Sequence, residues 1–505
     1  MPDKPEPAKP EEEKPALSKA EGKKEEKPAP KDNLVETKHS LTIGGREIKY
    51  TVTTGTMVLK EETADREKES EGEKPRAQIF FIAYTKDGVK DKAKRPVTFS
   101  FNGGPGSSSV WLHIGVLGPR RVVLEFDGQL PRPPYRLTDN EYSLLDETDL
   151  VFIDPVSTGY SRAVEGQKPV EYHGFKKDIE SVGDFIRLYA TRYQRWLSPK
   201  FLAGESYGTT RAAGLSGYLF ERHGMMLNGI MLISAVLDFA TLSFDIGNDL
   251  PYTLYLPGYA AAAWYHDALQ TPHQTLQELL DEVEQFALGD YASALLKGDA
   301  LTPEARAAIV EKLARYTGLS PAFIERTNLR IKDQHFFKEL LRERGLTIGR
   351  LDARFTGLDR SGVTEQPEYD PLLTNVHGPY AAGFYDYVRS ELKFESDLPY
   401  EILSHKVHPW SYKEFEGQPV YVAETLRKAM TVNPHLKVFV ANGYFDLGTP
   451  YFATEYTFNH LGLNPSLRGN LSMEYYEAGH MMYIHIPSLQ AMKRDLANFI
   501  HSAMS

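Results

Sequence analysis

The sequence predicts an α/β protein: a mostly parallel central sheet with helices on both faces, interrupted by a mainly helical insertion. Three observations lead there. Short, nearly continuous apolar runs recur at 97–101, 149–153, 200–203 and 229–234, bounded by turn-forming residues, as strands buried on both faces do. Helical spacing fills several gaps between them, as over Phe175–Tyr193. From about 241 to 400 that alternation stops and helical patterns take over, before strands resume at 437–441 and 473–476.

Residues 1–33 are dominated by Lys, Glu, Pro and Ala, with Leu17 as the one large aliphatic after Met1. Such a stretch cannot bury enough apolar surface to offset its ordering entropy, so it reads as a disordered tail. Residues 41–52 alternate around Gly44-Gly45, a hairpin signal, and 77–84 form a further strand. The core therefore divides into a first part at 34–240 and a second at 401–505. Between them lies the helical insertion at 241–400, where Thr275–Ala287, Pro303–Tyr316 and Asp333–Arg344 carry apolar residues at helical spacing. A helix at 487–503 closes the chain.

Composition narrows the function. The chain has 505 residues, 41% hydrophobic and 25% charged, and a net charge of -11, so it offers no basic surplus for nucleic acid. No apolar run reaches the roughly 18 residues of a membrane span. Cysteine is absent, which removes disulfides, thiolate nucleophiles and Cys-based metal sites. Neither GxxxxGK[ST], GxGxxG nor HExxH occurs, so no cofactor and no metal are expected.

The chemistry is concentrated in four segments. Gly204-Glu205-Ser206-Tyr207-Gly208 matches G-x-S-x-G between a strand and a helical pattern, which is where a nucleophilic serine sits in a strained turn. A serine hydroxyl needs a base and a group that orients the base, expected in the chain order Ser, Asp, His. Asp446 follows the strand 437–441 and His480 follows the strand 473–476, so both fall on loops at strand carboxyl ends. His485 and His460 compete as bases. Asp154 competes as the acid, although it precedes the serine. The fourth segment, Asn102-Gly103-Gly104-Pro105-Gly106, follows the strand 97–101. Its backbone N–H groups, with that of Tyr207, suit an oxyanion hole.

Together these motifs resemble the serine carboxypeptidases, α/β-hydrolase exopeptidases with a helical insertion, over roughly residues 75–505. The resemblance implies Ser206 as nucleophile, His480 as base, Asp446 as its orienter, and Gly104 and Tyr207 as oxyanion donors. It implies that Asn102 and Glu205 hold the free C-terminal carboxylate of a peptide, and that the segment 154–161 lines the same cleft. The family usually has Cys where this chain has Ser107 and Thr449, and Thr449 and Met481 are expected to line the leaving-group pocket. A second glutamate of the family, ahead of its Gly-Pro, is replaced by Val116. The implied partner is a peptide with a free C-terminus. Two other readings of the same scaffold stand beside it, an acyltransferase or esterase and an inactive binding protein. The expected location is periplasmic or secreted, with the tail as a spacer; a cytoplasmic protein with a solvated arm is the alternative.

Overall fold

The computed structural model describes residues 30–62, 72–269 and 275–505. Most of the tail read as disordered, up to residue 29, lies outside the described residues. Asn33, assigned to that tail, is instead the first residue of a strand. The hairpin is longer than its sequence signal: β1 (Asn33–Ile43) pairs antiparallel with β2 (Arg46–Glu62) from end to end. Its two-residue turn places Gly44 at φ 55 and Gly45 at φ 75, the left-handed pair that matches strand twist in a tight hairpin.

Next come β3 (Glu73–Lys86), β4 (Val97–Phe101), β5 (Asp149–Ile153), β6 (Lys200–Ser206), β7 (Gly229–Ala235), β8 (Lys437–Gly443) and β9 (Leu471–Tyr476). They lie in the order β1-β2-β3-β5-β4-β6-β7-β8-β9. The first three strands are antiparallel, and β5 through β9 run parallel to one another. The carboxyl ends of β4, β6, β8 and β9 therefore open on one edge. Segments far apart in sequence meet there, as binding sites of open α/β sheets do.

Alternation within the strands explains why both faces are covered. In β7, Ile230 and Leu232 face one apolar cluster, while Met231 and Ile233 face the other. Helices α1 (Phe175–Arg192) and α2 (Tyr207–His223) cover the first face, with Ile179, Val182, Phe185 and Leu215 packed on the sheet. The last helix, Ile486–Met504, covers the second with Leu489, Met492 and Leu496. Each such side chain contributes about 1.5–3 kcal/mol by leaving water.

The segment between β7 and β8 divides in its packing. Leu254, Leu280, Leu313 and Phe336 form a third cluster with Phe445 and Leu447, so the helices of residues 250–339 pack against the loop that carries Asp446. The helix Pro371–Asp386 joins the sheet's own cluster through Leu372, Val376 and Phe384. The helical pattern at 333–344 stops early: its helix ends at Glu339, and Gly345 adopts φ 70 after a short turn.

Candidate active site

β6 passes into α2 with no intervening loop, and Ser206 is the junction, at φ 60 and ψ -130. A non-glycine residue held there is strained, which turns its hydroxyl out of the sheet edge. The flanking glycines are required by space. A Cβ on Gly204 would stand 2.2 Å from the Gly208 carbonyl oxygen. A Cβ on Gly103 would stand 2.4 Å from the Tyr207 nitrogen, so the Asn-Gly-Gly loop lies directly against the amino end of α2. Arg211 of α2 fixes that approach. Its guanidinium is buried, bonds Asp178 at 2.8 Å and donates at 2.5 Å to the Asn102 carbonyl oxygen.

Asp446 and His480 meet across the ends of β8 and β9, with His480 Nδ1 2.7 Å from Asp446 Oδ2. The carboxylate accepts further hydrogen bonds from the Gly448 and Thr449 amides at 2.8 and 3.0 Å and from Thr449 Oγ1 at 2.7 Å. Burial opposes a charge on the His480 imidazole, but the Asp446 carboxylate outweighs it, and the imidazole pKa is raised above its ordinary value. With Nδ1 engaged, Nε2 is the nitrogen left for the cleft that His480 and Ser206 line together. Ser234 Oγ donates to the His480 carbonyl oxygen at 2.7 Å, anchoring the loop from β7.

A segment that the sequence left unremarked, 350–354, clasps both loops. Leu447 N donates to the Arg350 carbonyl and Ala353 N to the Phe445 carbonyl, each at 2.9 Å. On the histidine side, His480 N donates to the Leu351 carbonyl at 2.6 Å and Gly479 N to Asp352 Oδ2 at 3.0 Å. Asp352 is fully buried and is paired with Arg354, which also reaches the Glu477 carbonyl at 3.1 Å. A side chain on Gly479 would collide with Asp352, its Cβ 2.4 Å away.

Glu205 and Asn102 both line the cleft. Tyr483 Oη donates to Glu205 Oε2 at 2.6 Å. Burial pushes the Glu205 carboxyl up to about 7, against the pull of His480 and of the Tyr483 hydrogen bond. Asn102 Oδ1 accepts from Leu112 N at 3.1 Å. Its Nδ2 is buried and acts on the Glu205 carboxyl without a hydrogen bond of normal geometry, so the amide and the acid border the cleft as a pair. Val116 is buried in the sheet's core cluster, and a tyrosine rather than a second carboxyl attends Glu205.

The cleft holds about 270 Å³, and Gly104, Trp111, Leu351, Leu373 and Met481 complete much of its wall. Thr449, expected in the leaving-group pocket, is placed otherwise. Its hydroxyl is turned to Asp446 and lies 3.2 Å from His480 Nδ1, because the Asp446 turn folds it inward. The segment 154–161 does not line the cleft either. Asp154 backs the glycine loop from behind, accepting from Ser109 N and Oγ at 2.8 Å each. The competing histidines are engaged elsewhere: His485 Nδ1 is 2.8 Å from Ser488 Oγ, and His460 Nδ1 is 2.7 Å from the Tyr456 carbonyl oxygen.

Comparison with known proteins bears on the family and the fold. The family model described as serine carboxypeptidase matches residues 70–484. The pheromone-processing carboxypeptidase KEX1 of Saccharomyces cerevisiae is 34% identical over 162 residues, 30% of this chain and 20% of that protein. Serine carboxypeptidase-like 33 of Arabidopsis thaliana is 29% identical over 141 residues, 26% of each chain. The chain thus spans only about a fifth to a quarter of the length of these curated relatives. The crystal structure of KEX1(delta)p, a prohormone-processing carboxypeptidase from Saccharomyces cerevisiae, superposes with a TM-score of 0.56 at 17% identity. It covers 89% of this chain and 91% of that one, and shows a common fold.

Proposed function

The chain belongs to the serine carboxypeptidase family, and from that premise we propose that it removes single residues from the C-terminus of peptides through an acyl-enzyme on Ser206. The observation that carries this reading is the 2.7 Å contact between His480 Nδ1 and Asp446, which leaves Nε2 for the cleft shared with Ser206. In this reading Ser206 Oγ attacks the last peptide carbonyl while His480 Nε2 takes its proton. Asp446 holds the imidazole in the tautomer that can accept it. The amides of Gly104 and Tyr207 receive the negative charge that develops on the carbonyl oxygen, the latter at the amino end of a 17-residue helix. His480 returns the proton to the departing amine, and water then releases the acyl group.

The exopeptidase character rests on the far end of the cleft. A carboxylate can lie against Glu205 only if one of the two acids carries a proton, and burial supplies that condition near neutrality. In this reading Asn102 Nδ2, bordering the cleft with Glu205, is the second donor to that carboxylate. Thr449 and Asp352 act through Asp446 and His480, not on substrate. We also propose an exported location, periplasmic or secreted, supported by the family and by the Lys-, Glu- and Pro-rich tail read as a spacer. No helix among the described residues is long and apolar enough to cross a membrane.

Mass spectrometry of a digested peptide tests the activity. Successive one-residue losses from the free C-terminus, with the C-terminally amidated peptide left intact, are expected. Internal cuts or trimming from the amino end would contradict the proposal.

A further inference from the structure

Two arginines four residues apart stand in opposite circumstances beside the catalytic cleft. Arg354 is held by buried Asp352. Arg350 is exposed, lines the cleft, and makes no ion pair among the described residues. Its main chain is nevertheless fixed. Its N–H donates to Asp370 Oδ2 at 3.0 Å, and its carbonyl accepts from Leu447 N at 2.9 Å. The guanidinium lies along the turn that carries Asp446: a Cβ on Gly448 would be 3.1 Å from Arg350 Nη1 and 3.2 Å from Asp446 Oδ1.

Two carboxylates lie near Arg350 outside the cleft lining, Asp446 beside the guanidinium and Asp333 within its field, but neither makes an ion pair with it. The other titratable side chains lining the cleft are His405, His408, His480 and Glu205. Glu205 is thus the one cleft carboxyl among the described residues, and burial keeps its proton on to about 7. Asp370 sits at the Arg350 main chain, but its oxygens already accept from four amides, those of Arg350, Leu351, Leu372 and Leu373. An exposed guanidinium on a fixed main chain, with no carboxylate at ion-pair distance among the described residues and beside the reacting atoms, suits a second carboxylate on the substrate.

Taking the carboxypeptidase reading as given, we propose that Arg350 is a specificity-determining residue that receives a side-chain carboxylate of the substrate, so that Asp or Glu next to the scissile bond is preferred over Lys or Arg. The carboxylate has two possible sources, the departing residue and the residue before it, and the substrates below separate them.

The experiment measures kcat/KM of the full chain on two sets of N-blocked dipeptides. One set is blocked Ala-X and the other blocked X-Ala, with X as Glu, Gln, Lys or Leu. The Glu:Lys ratio is expected to reach about fivefold to tenfold in one set, the combined size of an exposed pair's attraction for Glu and repulsion of Lys. In Arg350→Gln that ratio should fall toward one, in Arg350→Glu it should invert, and in Arg350→Lys most of it should remain. Because each ratio is read within one enzyme, a general loss of activity cancels. A Glu:Lys ratio below about two in both wild-type sets, or a ratio unchanged in Arg350→Gln, makes Arg350 a solvated surface charge only and overturns the proposal. The Leu peptides report on the underlying reaction. If wild-type protein turns over neither of them, the carboxypeptidase reading falls and this proposal with it; if it does, the ratios decide Arg350 alone.

Discussion

Tyr483 donates a 2.6 Å hydrogen bond to the buried carboxyl of Glu205, 278 residues earlier in the chain. The tyrosine orients the carboxyl but favours its ionised form, so it is burial, and not this hydrogen bond, that raises the Glu205 pKa. A carboxyl pair holds a proton by sharing it, whereas here burial holds the proton on Glu205 and Tyr483 fixes the direction of its oxygens. The proposed site is therefore suited to a peptide carboxylate up to about neutral pH.

The first prediction is a rise of KM with pH. Glu205 is protonated below about 7 and ionised above it, so its affinity for a carboxylate is lost as pH climbs through that value. KM for a blocked dipeptide should rise roughly 20-fold between pH 6.5 and 8.5. In Glu205→Gln, whose amide keeps a donor at every pH, the rise should shrink to about threefold or less. Steady-state kinetics across that range decide it.

The same carboxyl predicts a pH-dependent stability difference. Its folded pKa, about 7, lies above the unfolded value of 4.5, so the folded state binds the proton more tightly. The resulting penalty is absent well below 4.5, grows as pH rises, and is complete above 7. Glu205→Gln should therefore be more stable than wild type at pH 8 by on the order of 3 kcal/mol, with the gain fading toward pH 4. Denaturant titrations at the two pH values measure it.

Asp446→Asn should lower kcat by about 10³- to 10⁴-fold with KM changed less than about threefold. An amide can present its N–H to His480 Nδ1, which selects the tautomer with a proton on Nε2, and that nitrogen can no longer accept from Ser206. Stopped assays with the blocked dipeptide at saturating concentration read the loss.

The clasp at 350–354 yields a fourth expectation. Asp352→Ala removes the acceptor for Gly479 N and strands the Arg354 guanidinium, for a stability loss of about 3–5 kcal/mol. At a temperature where the variant is folded, kcat should fall about 10- to 100-fold while KM changes little, because the His480 loop is affected and the carboxylate site is not. Asp352→Asn, which keeps an acceptor for Gly479 N, should recover part of kcat. A drop confined to KM would count against a positioning role.

The sequence made the frame of this site legible because its signals are local. Ser206 is written in five consecutive residues whose glycines are forced by contacts with the neighbouring backbone. Asp446 and His480 could be picked out because each follows a short apolar run, and parallel strands bring such ends to one edge. The clasp and Tyr483 were not legible. Asp352 meets Gly479 across 127 residues, and no local pattern encodes that pairing. Thr449 was assigned to the pocket from its position after Asp446, but the turn geometry gives its hydroxyl to the carboxylate. Asn33 was left in the tail because composition reports on burial, and β1 is half exposed along most of its length.

The central claim is that Ser206 is a nucleophile made reactive by His480, and covalent labelling by a fluorophosphonate tests it most directly. Peptide mapping of the labelled protein should place the adduct on Ser206. The labelling rate should rise with pH until the imidazole, whose pKa Asp446 raises, has lost its proton, and it should collapse in His480→Ala. An adduct at another residue, or a Ser206 labelling rate indifferent both to pH and to the loss of His480, would contradict the account.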